Sequence, residues 1–196
     1  MGIEMPVPAK PEGVDAEVWE QMLHATPAEA RHLIREGKFA APTSGLCPGY
    51  AQANLIILPR EQAYDFLLFA QRNPKPCPIL EVVEGMPDIH DMGEGSSIVT
   101  DIPKYFIYRD GVKTEEVTDV SEYWKEDSVA FLIGCSFSFE EALMRAGIEV
   151  RHIAMGCNVP MYKTNIQCES AGVFEGPMVV SMRPMTPENA GKAKEI

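Results

Sequence analysis

The residues best suited to chemistry lie in a short turn, Gly134-Cys135-Ser136-Phe137-Ser138, which directly follows an apolar run at residues 129–133. The run predicts a buried strand and the next residues predict a helix, so the turn leads into a helix N-terminus. The first N–H groups of a helix have no partner inside it and can hold a carboxylate oxygen. Cys135 and Ser136 are therefore candidate catalytic groups, and Ser138 is a candidate binding group. The alternative is structural, with Cys135 as buried filler and the serines as caps.

Residues 43–54 form a second candidate region, a loop whose backbone is constrained by two glycines and one proline. It carries a dense set of neutral hydrogen-bonding side chains, which suits a polar substrate or an oxyanion. The phenol of Tyr50 is a third candidate catalytic group. The equal alternative is that the polar side chains only satisfy the loop's own backbone. The candidate binding residues here are Thr43, Ser44, Gln52 and Asn54.

Residues 158–165 resemble this loop in composition and contribute Asn158, Tyr162 and Asn165 as further candidate binding residues. A stiff, proline-rich loop lies at residues 72–78. These irregular, polar segments contain most of the chain's locally constrained backbone. In α/β proteins, ligands bind in the loops that follow the ends of the sheet strands. We therefore predict that four loops converge on one pocket: 43–54, 72–78, 134–138 and 158–165.

A substrate carboxylate needs a local positive charge, and three arginines stand near predicted strand ends or stiff loops: Arg72, Arg151 and Arg183. Arg72 and Arg151 are the candidate substrate-binding residues, since one guanidinium can hold a carboxylate through two hydrogen bonds. The alternative for each is a surface charge or an ion-pair partner.

The cysteines and histidines are too scattered to predict a metal site. Cys47, Cys77, Cys135, Cys157 and Cys168 form no C-x-x-C pair, and the four histidines do not cluster with them. The chain also lacks the glycine-rich nucleotide loops, the H-E-x-x-H pair and the G-x-S-x-G elbow. We therefore predict no zinc and no cofactor, with catalysis by side chains and backbone dipoles.

Composition limits the partners. A net charge of −12 argues against a nucleic-acid-binding protein, which needs a basic surface, and against binding to anionic lipid. The N-terminal residues do not resemble a signal peptide, and the cysteine pattern is typical of a reducing compartment. These observations favour a cytoplasmic enzyme that binds a small molecule, and they leave homo-oligomerisation open.

Strands and helices alternate along most of the chain. Strands are predicted at 55–58, 79–83, 129–133, 148–153 and 177–182, and helices after Asp15, after Thr26, at 60–71, from Ser138 to Ala146 and after Thr186. Ser138 and Glu141 are expected to form a capping box. Continuous apolar strands separated by helices predict an α/β fold with a mixed, partly parallel sheet and helices on both faces.

The segment at 85–128 differs from the rest of the chain. Its sequence YFIYRDGVKTEEV alternates around Asp110-Gly111, which predicts a type I′ hairpin. We therefore expect one α/β core domain, made of residues 1–84 and 129–196, with a small antiparallel α+β insertion at 85–128.

Several long blocks of unusual composition span nearly all of residues 26–190. The blocks are PTSGLCPGYAQANLIILP (42–59), DFLLFAQRNPKPCPILEV (65–82), TDIPKYFIYRDG (100–111), VAFLIGCSFSFEEAL (129–143), GIEVRHI (147–153), NVPMYKTNI (158–166) and GPMVVSMRP (176–184). Together they resemble the hydro-lyase family of bacteria and fungi that shares a module with D-glutamate cyclase.

The resemblance implies a carbon–oxygen lyase that eliminates water from a small carboxylate-bearing metabolite, in the manner of D-glutamate cyclase. It also implies a further segment with a His-Gly loop beyond the helix at Thr186, which this sequence does not contain. In this hypothesis Arg72 or Arg151 and the 135–138 turn hold the substrate. Tyr50, Cys135 or a carboxylate such as Glu140 moves the proton. The alternatives are a non-catalytic small-acid-binding protein and, less favoured, a thiol-redox role for Cys135.

Overall fold

The computed structural model describes residues 7–155 and 157–196. Six helices and nine strands lie in these residues. The helices are α1 (Ala16–His24), α2 (Pro27–Arg35), α3 (Arg60–Arg72), α4 (Glu140–Arg145), α5 (Arg151–Ala154) and α6 (Pro187–Ala193). The strands are β1 (Ala53–Pro59), β2 (Ile79–Glu84), β3 (Asp88–Ile89), β4 (Ser96–Ser97), β5 (Tyr105–Arg109), β6 (Val112–Val117), β7 (Ser128–Gly134), β8 (Met161–Gln167) and β9 (Pro177–Ser181).

The central sheet has three strands in the order β1-β7-β2, and β7 pairs antiparallel with both neighbours. The other three sheets are antiparallel pairs, β3-β4, β5-β6 and β8-β9. The class is mixed α/β, as predicted, but the prediction of a partly parallel sheet is wrong. The apolar run of β7 reflects burial on both faces, which does not depend on strand direction.

The two faces of β7 pack against different segments of the chain. Val129, Phe131 and Ile133 form one core cluster with Ala63 and Phe66 of α3. Ala130 and Leu132 point to the opposite face, and their cluster is completed by three buried residues from other segments, Val83, Ile89 and Ile98. Helix α3 thus covers one face, whereas residues of the 85–128 segment cover the other. A helix on both faces of this sheet was expected and is not what the described residues show.

The segment 85–128 contains the predicted hairpin. Strands β5 and β6 are joined at Asp110 and Gly111, whose φ angles of 50° and 76° are those of a type I′ turn. The buried side chains of Val99, Tyr105 and Val120 pack with residues of β1. The division of the chain into a core and an insertion stays a prediction.

The two N-terminal helices form a unit of their own. Asp15 caps α1, and Thr26 and Glu29 form the predicted capping box of α2. Their apolar faces form a separate core cluster that includes Trp19 and Phe39. Arg35, the last residue of α2, binds the buried carboxylate of Asp101 through two nitrogens. This ion pair connects the helical unit to the turn after β4.

The chain between Cys135 and Met155 differs most from the prediction. Residues Ser136–Phe139 form a 3₁₀ turn, α4 begins only at Glu140, and Ser138 makes no capping box. Its hydroxyl accepts a hydrogen bond from the Gln52 N–H instead, at 3.0 Å. The predicted strand at 148–153 is wrong, because α5 closes i,i+4 hydrogen bonds from Ala154 to Val150 and from Met155 to Arg151. The alternation that suggested a strand places Ile148 and Val150 in a small core cluster with Leu143.

Candidate active site

The register of the central sheet brings two predicted loops together. Ala53 of β1 lies opposite Gly134 of β7, so the loop that precedes β1 meets the turn that follows β7. Two backbone N–H groups form hydrogen bonds across the junction: the Cys135 N–H donates to the Gln52 carbonyl at 3.1 Å, and the Gln52 N–H donates to the Ser138 hydroxyl at 3.0 Å. Antiparallel pairing of β1 and β7 is therefore what assembles this region.

A cavity of about 310 Å³ opens at this junction. Its walls come from the end of α1, the 45–52 loop, the 3₁₀ turn, α4 and α5. The polar residues that line it include Cys47, Tyr50, Gln52, Ser138, Glu140 and Glu141. Leu23, Leu46, Phe137 and Met144 supply an apolar part of the wall. The volume suits a small metabolite, and the mixture of apolar wall and few polar groups is typical of ligand sites.

The loop wall is held by its own hydrogen bonds. Gln52 bridges it internally, because its side-chain amide donates to the Leu46 carbonyl at 3.3 Å and its Oε1 accepts from the Thr43 hydroxyl at 3.1 Å. Cys47 sits at a positive φ of 47°, and its thiol donates to the Ala25 carbonyl at the end of α1. A non-glycine residue in this conformation is uncommon and is tolerated where neighbouring contacts fix the backbone.

A buried ionic cluster lies where α4, α5 and the chain after β9 meet. Glu140, at the start of α4, is buried and lines the cavity. Its Oε1 accepts from Arg183 Nε at 2.9 Å and also from Arg183 Nη2. The side chains of Glu140 and Arg183 are only 3% and 7% exposed, so the pair is shielded from water. None of the described residues donates a hydrogen bond to the second oxygen, Glu140 Oε2.

His152 of α5 is the third member of the cluster. Its Nε2 lies 3.1 Å from Glu140 Oε1, but the angle is unsuitable for a hydrogen bond, and this fully buried atom has no aligned partner in the described part of the chain. Burial lowers the pKa of His152; the Glu140 carboxylate raises it and the Arg183 guanidinium lowers it, with a net decrease. The imidazole is therefore neutral at pH 7.

Ser136 and Phe139 complete the surroundings of Arg183. Arg183 Nη2 donates to the Ser136 hydroxyl at 3.1 Å and approaches the Ser136 carbonyl at 3.4 Å. The guanidinium carbon lies 4.8 Å above the Phe139 ring, a cation–π contact. Arg183 thus connects the 3₁₀ turn and the first residue of α4 to the end of β9. The Ser136 hydroxyl accepts a hydrogen bond from the Arg183 guanidinium.

Cys135 lies beside the cluster in a half-buried position. Burial raises the pKa of its thiol, and the Glu140 carboxylate raises it further. The Phe137 and Ser138 N–H groups lower the pKa of the thiol, but the net effect is an increase. Of the N–H groups that were predicted to bind an anion, that of Ser138 donates to the Cys135 carbonyl at 3.4 Å. A thiol with a raised pKa is a poor nucleophile at pH 7.

The structure brings some of the predicted site residues together and leaves others elsewhere. Tyr50, Gln52 and Ser138 line the cavity, while Thr43, Cys135 and Ser136 contact the residues that form it. The remaining predicted residues are not among those lining it: Ser44, Asn54, Arg72, Arg151, Asn158, Tyr162 and Asn165.

Arg72 and Arg151 occupy positions that do not suit a clamp at this cavity. Arg72 donates to the Ser170 carbonyl and lies 3.6 Å from Glu169, so it holds the loop after β8. Arg151 is exposed at the start of α5, and Tyr162 and Asn165 are exposed on β8. The 72–78 loop reaches the site only through Pro78, whose carbonyl accepts from the Gly134 N–H at 2.9 Å.

Sequence reasoning did not link the three ionisable groups that the structure brings together. Glu140 was named only as one possible proton-moving carboxylate, His152 lay within a predicted strand, and Arg183 was one of three arginines near strand ends or stiff loops. One signal was present for Glu140, because it lies three residues before the buried Leu143 and so shares its helix face. No comparable signal links His152 or Arg183 to Glu140.

Within residues 7–155 and 157–196, no three His, Cys, Asp or Glu side chains are grouped as a metal site would require. Among the helices described, none combines the length and apolar character needed to cross a bilayer.

Comparison with known proteins gives consistent matches. The sequence model of the D-glutamate cyclase family matches residues 129–196. A "Putative hydro-lyase" of Clostridium beijerinckii is 62% identical over 160 residues, which are 81% of this chain and 61% of the relative. One from Bacillus velezensis is 54% identical over 176 residues, covering 89% and 67% of the two chains. The relative YcsI of Bacillus subtilis is 57% identical over 171 residues, covering 87% and 66%. The chain thus spans roughly three fifths to two thirds of these relatives.

Proposed function

The chain belongs to the hydro-lyase family that is related to D-glutamate cyclase, and on that premise we propose that it eliminates water from a small carboxylate-bearing metabolite in the cavity beside α4. Water elimination removes a proton from one atom of the substrate and expels an oxygen that must itself be protonated. The site therefore needs a base, a proton donor and a wall that orients the substrate.

The observation that carries the proposal is the position of Glu140. Its carboxylate is buried, lines the cavity, and has one oxygen held by Arg183 while no described residue occupies the other. Charged groups are buried in this way at a cost, and they are concentrated at functional sites. Glu140 Oε2 is therefore the proposed base.

The proposed reaction keeps atoms and charge in balance. Glu140 Oε2 takes a proton from the substrate, and the electron pair left behind forms the new bond as the carbon–oxygen bond breaks. The departing hydroxide takes a proton from the Tyr50 phenol or from water held by it, and leaves as water. Tyr50 lines the same cavity and is exposed to it, which makes it the proposed donor.

An anionic substrate is compatible with the acidic helix because the two α4 carboxylates are paired. Glu140 is paired with Arg183, and Glu141 is paired with Arg145. The pairs reduce the repulsion that a substrate carboxylate would meet. Gln52 and Ser138, whose side chains are polar and uncharged, are the proposed groups that orient the substrate.

The first experiment identifies the substrate class. The purified protein is screened by thermal shift against small amino, hydroxy and oxo acids, and each stabilising compound is incubated with it and analysed for loss of water by mass spectrometry. A ligand at a hundred times its dissociation constant stabilises by roughly 2.7 kcal/mol. Binding without turnover would contradict the lyase proposal and support a non-catalytic small-acid-binding protein.

The second experiment tests the assigned groups. Glu140→Gln should lower kcat by about 10²–10⁴-fold, the usual contribution of a general base. Tyr50→Phe should lower kcat while leaving stability unchanged, because the Tyr50 side chain is exposed. Glu149→Gln is the matched control, since Glu149 is an exposed carboxylate just after α4. Full activity in both Glu140→Gln and Tyr50→Phe would remove these two residues from the mechanism.

A further inference from the structure

His152 is a buried polar residue next to Glu140 that the proposed reaction does not use. Its ring is 6% exposed, and Nε2 is fully buried without an aligned hydrogen bond among the described residues. Leaving a buried polar atom unsatisfied costs about 1–3 kcal/mol. Such atoms are rare in folded proteins and are often found where function requires them. The contact that His152 does make is with Glu140 Oε1, at 3.1 Å.

Glu140 Oε1 is surrounded on two sides by groups from different segments. Arg183 approaches it from the chain after β9, with Nε at 2.9 Å, and His152 approaches it from α5. Two nitrogen-bearing groups therefore contact one oxygen, while the other oxygen has no donor among the described residues. A carboxylate confined in this way cannot rotate freely, so its two oxygens keep distinct roles.

We propose that His152 is a positioning residue: its imidazole, packed against Glu140 Oε1, holds the carboxylate in one orientation, so that Oε2 stays available to the substrate. This inference rests on the proposed function, because it concerns the same carboxylate. A neutral ring leaves Arg183 as the only full positive charge beside Glu140 in the described part of the cluster. A protonated ring would add a second positive charge beside Oε1 and disturb this arrangement.

The arrangement requires that His152 remain uncharged while Glu140 is ionised. Burial favours this state, since it lowers the pKa of His152, and Arg183 acts in the same direction. The charged groups that face the ring are Glu140 from α4 and Arg183 from the chain after β9. As the pH falls, His152 takes up a proton less readily in the folded protein than in the unfolded chain. Protonation of this residue therefore reduces stability in acid, and the effect is absent well above the ordinary imidazole pKa.

The test uses nuclear magnetic resonance and needs no substrate. Protein labelled with ¹⁵N-histidine is titrated with acid, and the His152 signal is identified by its absence from the His152→Gln spectrum. We expect His152 to titrate below the ordinary pKa of an imidazole. Glu140→Gln should lower its titration point further, and Arg183→Met should raise it. A titration point unchanged in both variants would show that the ring is not coupled to the carboxylate and would overturn the inference.

Activity provides a second, separate readout once a substrate is found. His152→Gln, which retains a polar nitrogen near the position of Nε2, should keep more activity than His152→Leu, which retains only volume. The loss in His152→Leu should be about tenfold to a hundredfold in kcat, as for a misplaced catalytic group, with KM little changed. His32→Gln is the control on an exposed histidine. If the His152 titration responds to the Glu140 and Arg183 variants but the wild-type protein eliminates water from no compound, only the proposed function is refuted. If His152→Gln and His152→Leu are equally active, the positioning role is refuted.

Discussion

At the scale of single residues, the candidate site depends on a charge pair that cannot easily exchange with water. Glu140 and Arg183 come from segments far apart in sequence, and both side chains are almost completely buried. A buried pair contributes little compared with well-packed apolar residues, but removing one partner is costly because the other charge stays buried. The pair therefore fixes the start of α4 to the chain after β9 and simultaneously presents a carboxylate to the cavity.

Arg183→Met should test this dependence directly. We expect it to lower the free energy of unfolding by about 3–5 kcal/mol, because Glu140 loses its counter-charge in a dry environment. Urea denaturation monitored by tryptophan fluorescence measures the change. Arg145→Met is the matched control: its guanidinium also pairs with an α4 carboxylate but is 73% exposed, so the expected loss is below about 1 kcal/mol. Equal losses in the two variants would show that burial of the Arg183 pair has no energetic consequence.

The residue scale is also where sequence reasoning was weakest. Tyr50, Gln52 and Ser138 could be chosen because polar residues in constrained loops beside strands are visible in the sequence. The cluster of Glu140, His152 and Arg183 could not, because each residue has an ordinary local context and the cluster exists only after α4, α5 and the chain after β9 have packed. Arg72 shows the converse error, since a guanidinium in a stiff loop was expected at the site but binds the loop after β8.

At the scale of secondary-structure elements, helix caps and tight turns were predicted correctly from short sequence motifs. The cap at Asp15, the capping box at Thr26 and the turn at Asp110-Gly111 all formed as expected, because each depends on a few neighbouring residues. The direction of a strand in the central sheet, by contrast, is not determined by residues that are adjacent in sequence. The apolar run of β7 correctly indicated a strand that is buried on both faces. Such strands are common in parallel sheets, but β7 is antiparallel to both of its neighbours, so the prediction of a partly parallel sheet was wrong.

Asn73 illustrates how an element end is fixed by a distant segment. It follows α3 and is buried, and its amide donates to the Phe69 and Glu169 carbonyls, each at 2.8 Å. Its side-chain oxygen accepts from the Glu169 N–H at 2.8 Å. A single side chain thus ends α3 and holds the loop after β8 against it. Gly172 in the same loop lies so close to Asp65 of α3 that a Cβ atom there would be 1.9 Å from a carboxylate oxygen.

Asn73→Asp should therefore destabilise the fold although the two side chains have the same shape. The aspartate keeps the bond from the Glu169 N–H but loses both donated bonds and brings a carboxylate against two carbonyl oxygens. We expect a loss of about 2 kcal/mol or more in the free energy of unfolding, measured in urea. Asn165→Asp, on an exposed position of β8, should change stability by less than about 0.5 kcal/mol. If both variants match the wild type, Asn73 does not anchor the loop.

At the scale of the whole molecule, burial is unevenly distributed. Strand β7 is buried along almost its full length, whereas β8 and β9 are mostly exposed and carry large apolar side chains in contact with solvent, such as Met161, Ile166 and Val179. The β5-β6 hairpin is exposed as well, apart from Tyr105. Local opening requires less free energy where few apolar contacts must be broken.

Hydrogen exchange followed by mass spectrometry should reveal this gradient. We expect peptides from β7 to exchange most slowly, because its N–H groups are bonded to neighbours on two sides and covered on both faces. Peptides from β5-β6 and β8-β9 should exchange much faster under the same conditions. Protection of β8 and β9 equal to that of β7 would contradict the prediction and indicate that these strands are covered in solution.

The position of β7 at the centre of the sheet also affects how the protein is made. Its partners β1 and β2 end at residues 59 and 84, but β7 begins only at residue 128. During synthesis both outer strands leave the ribosome before the strand that pairs with them exists. Until then their apolar side chains and unpaired backbone edges are open to other chains, which is the condition that favours aggregation and engages chaperones. The central sheet closes only when β7 emerges, so a ribosome that stalls before residue 128 holds a chain whose main sheet cannot form.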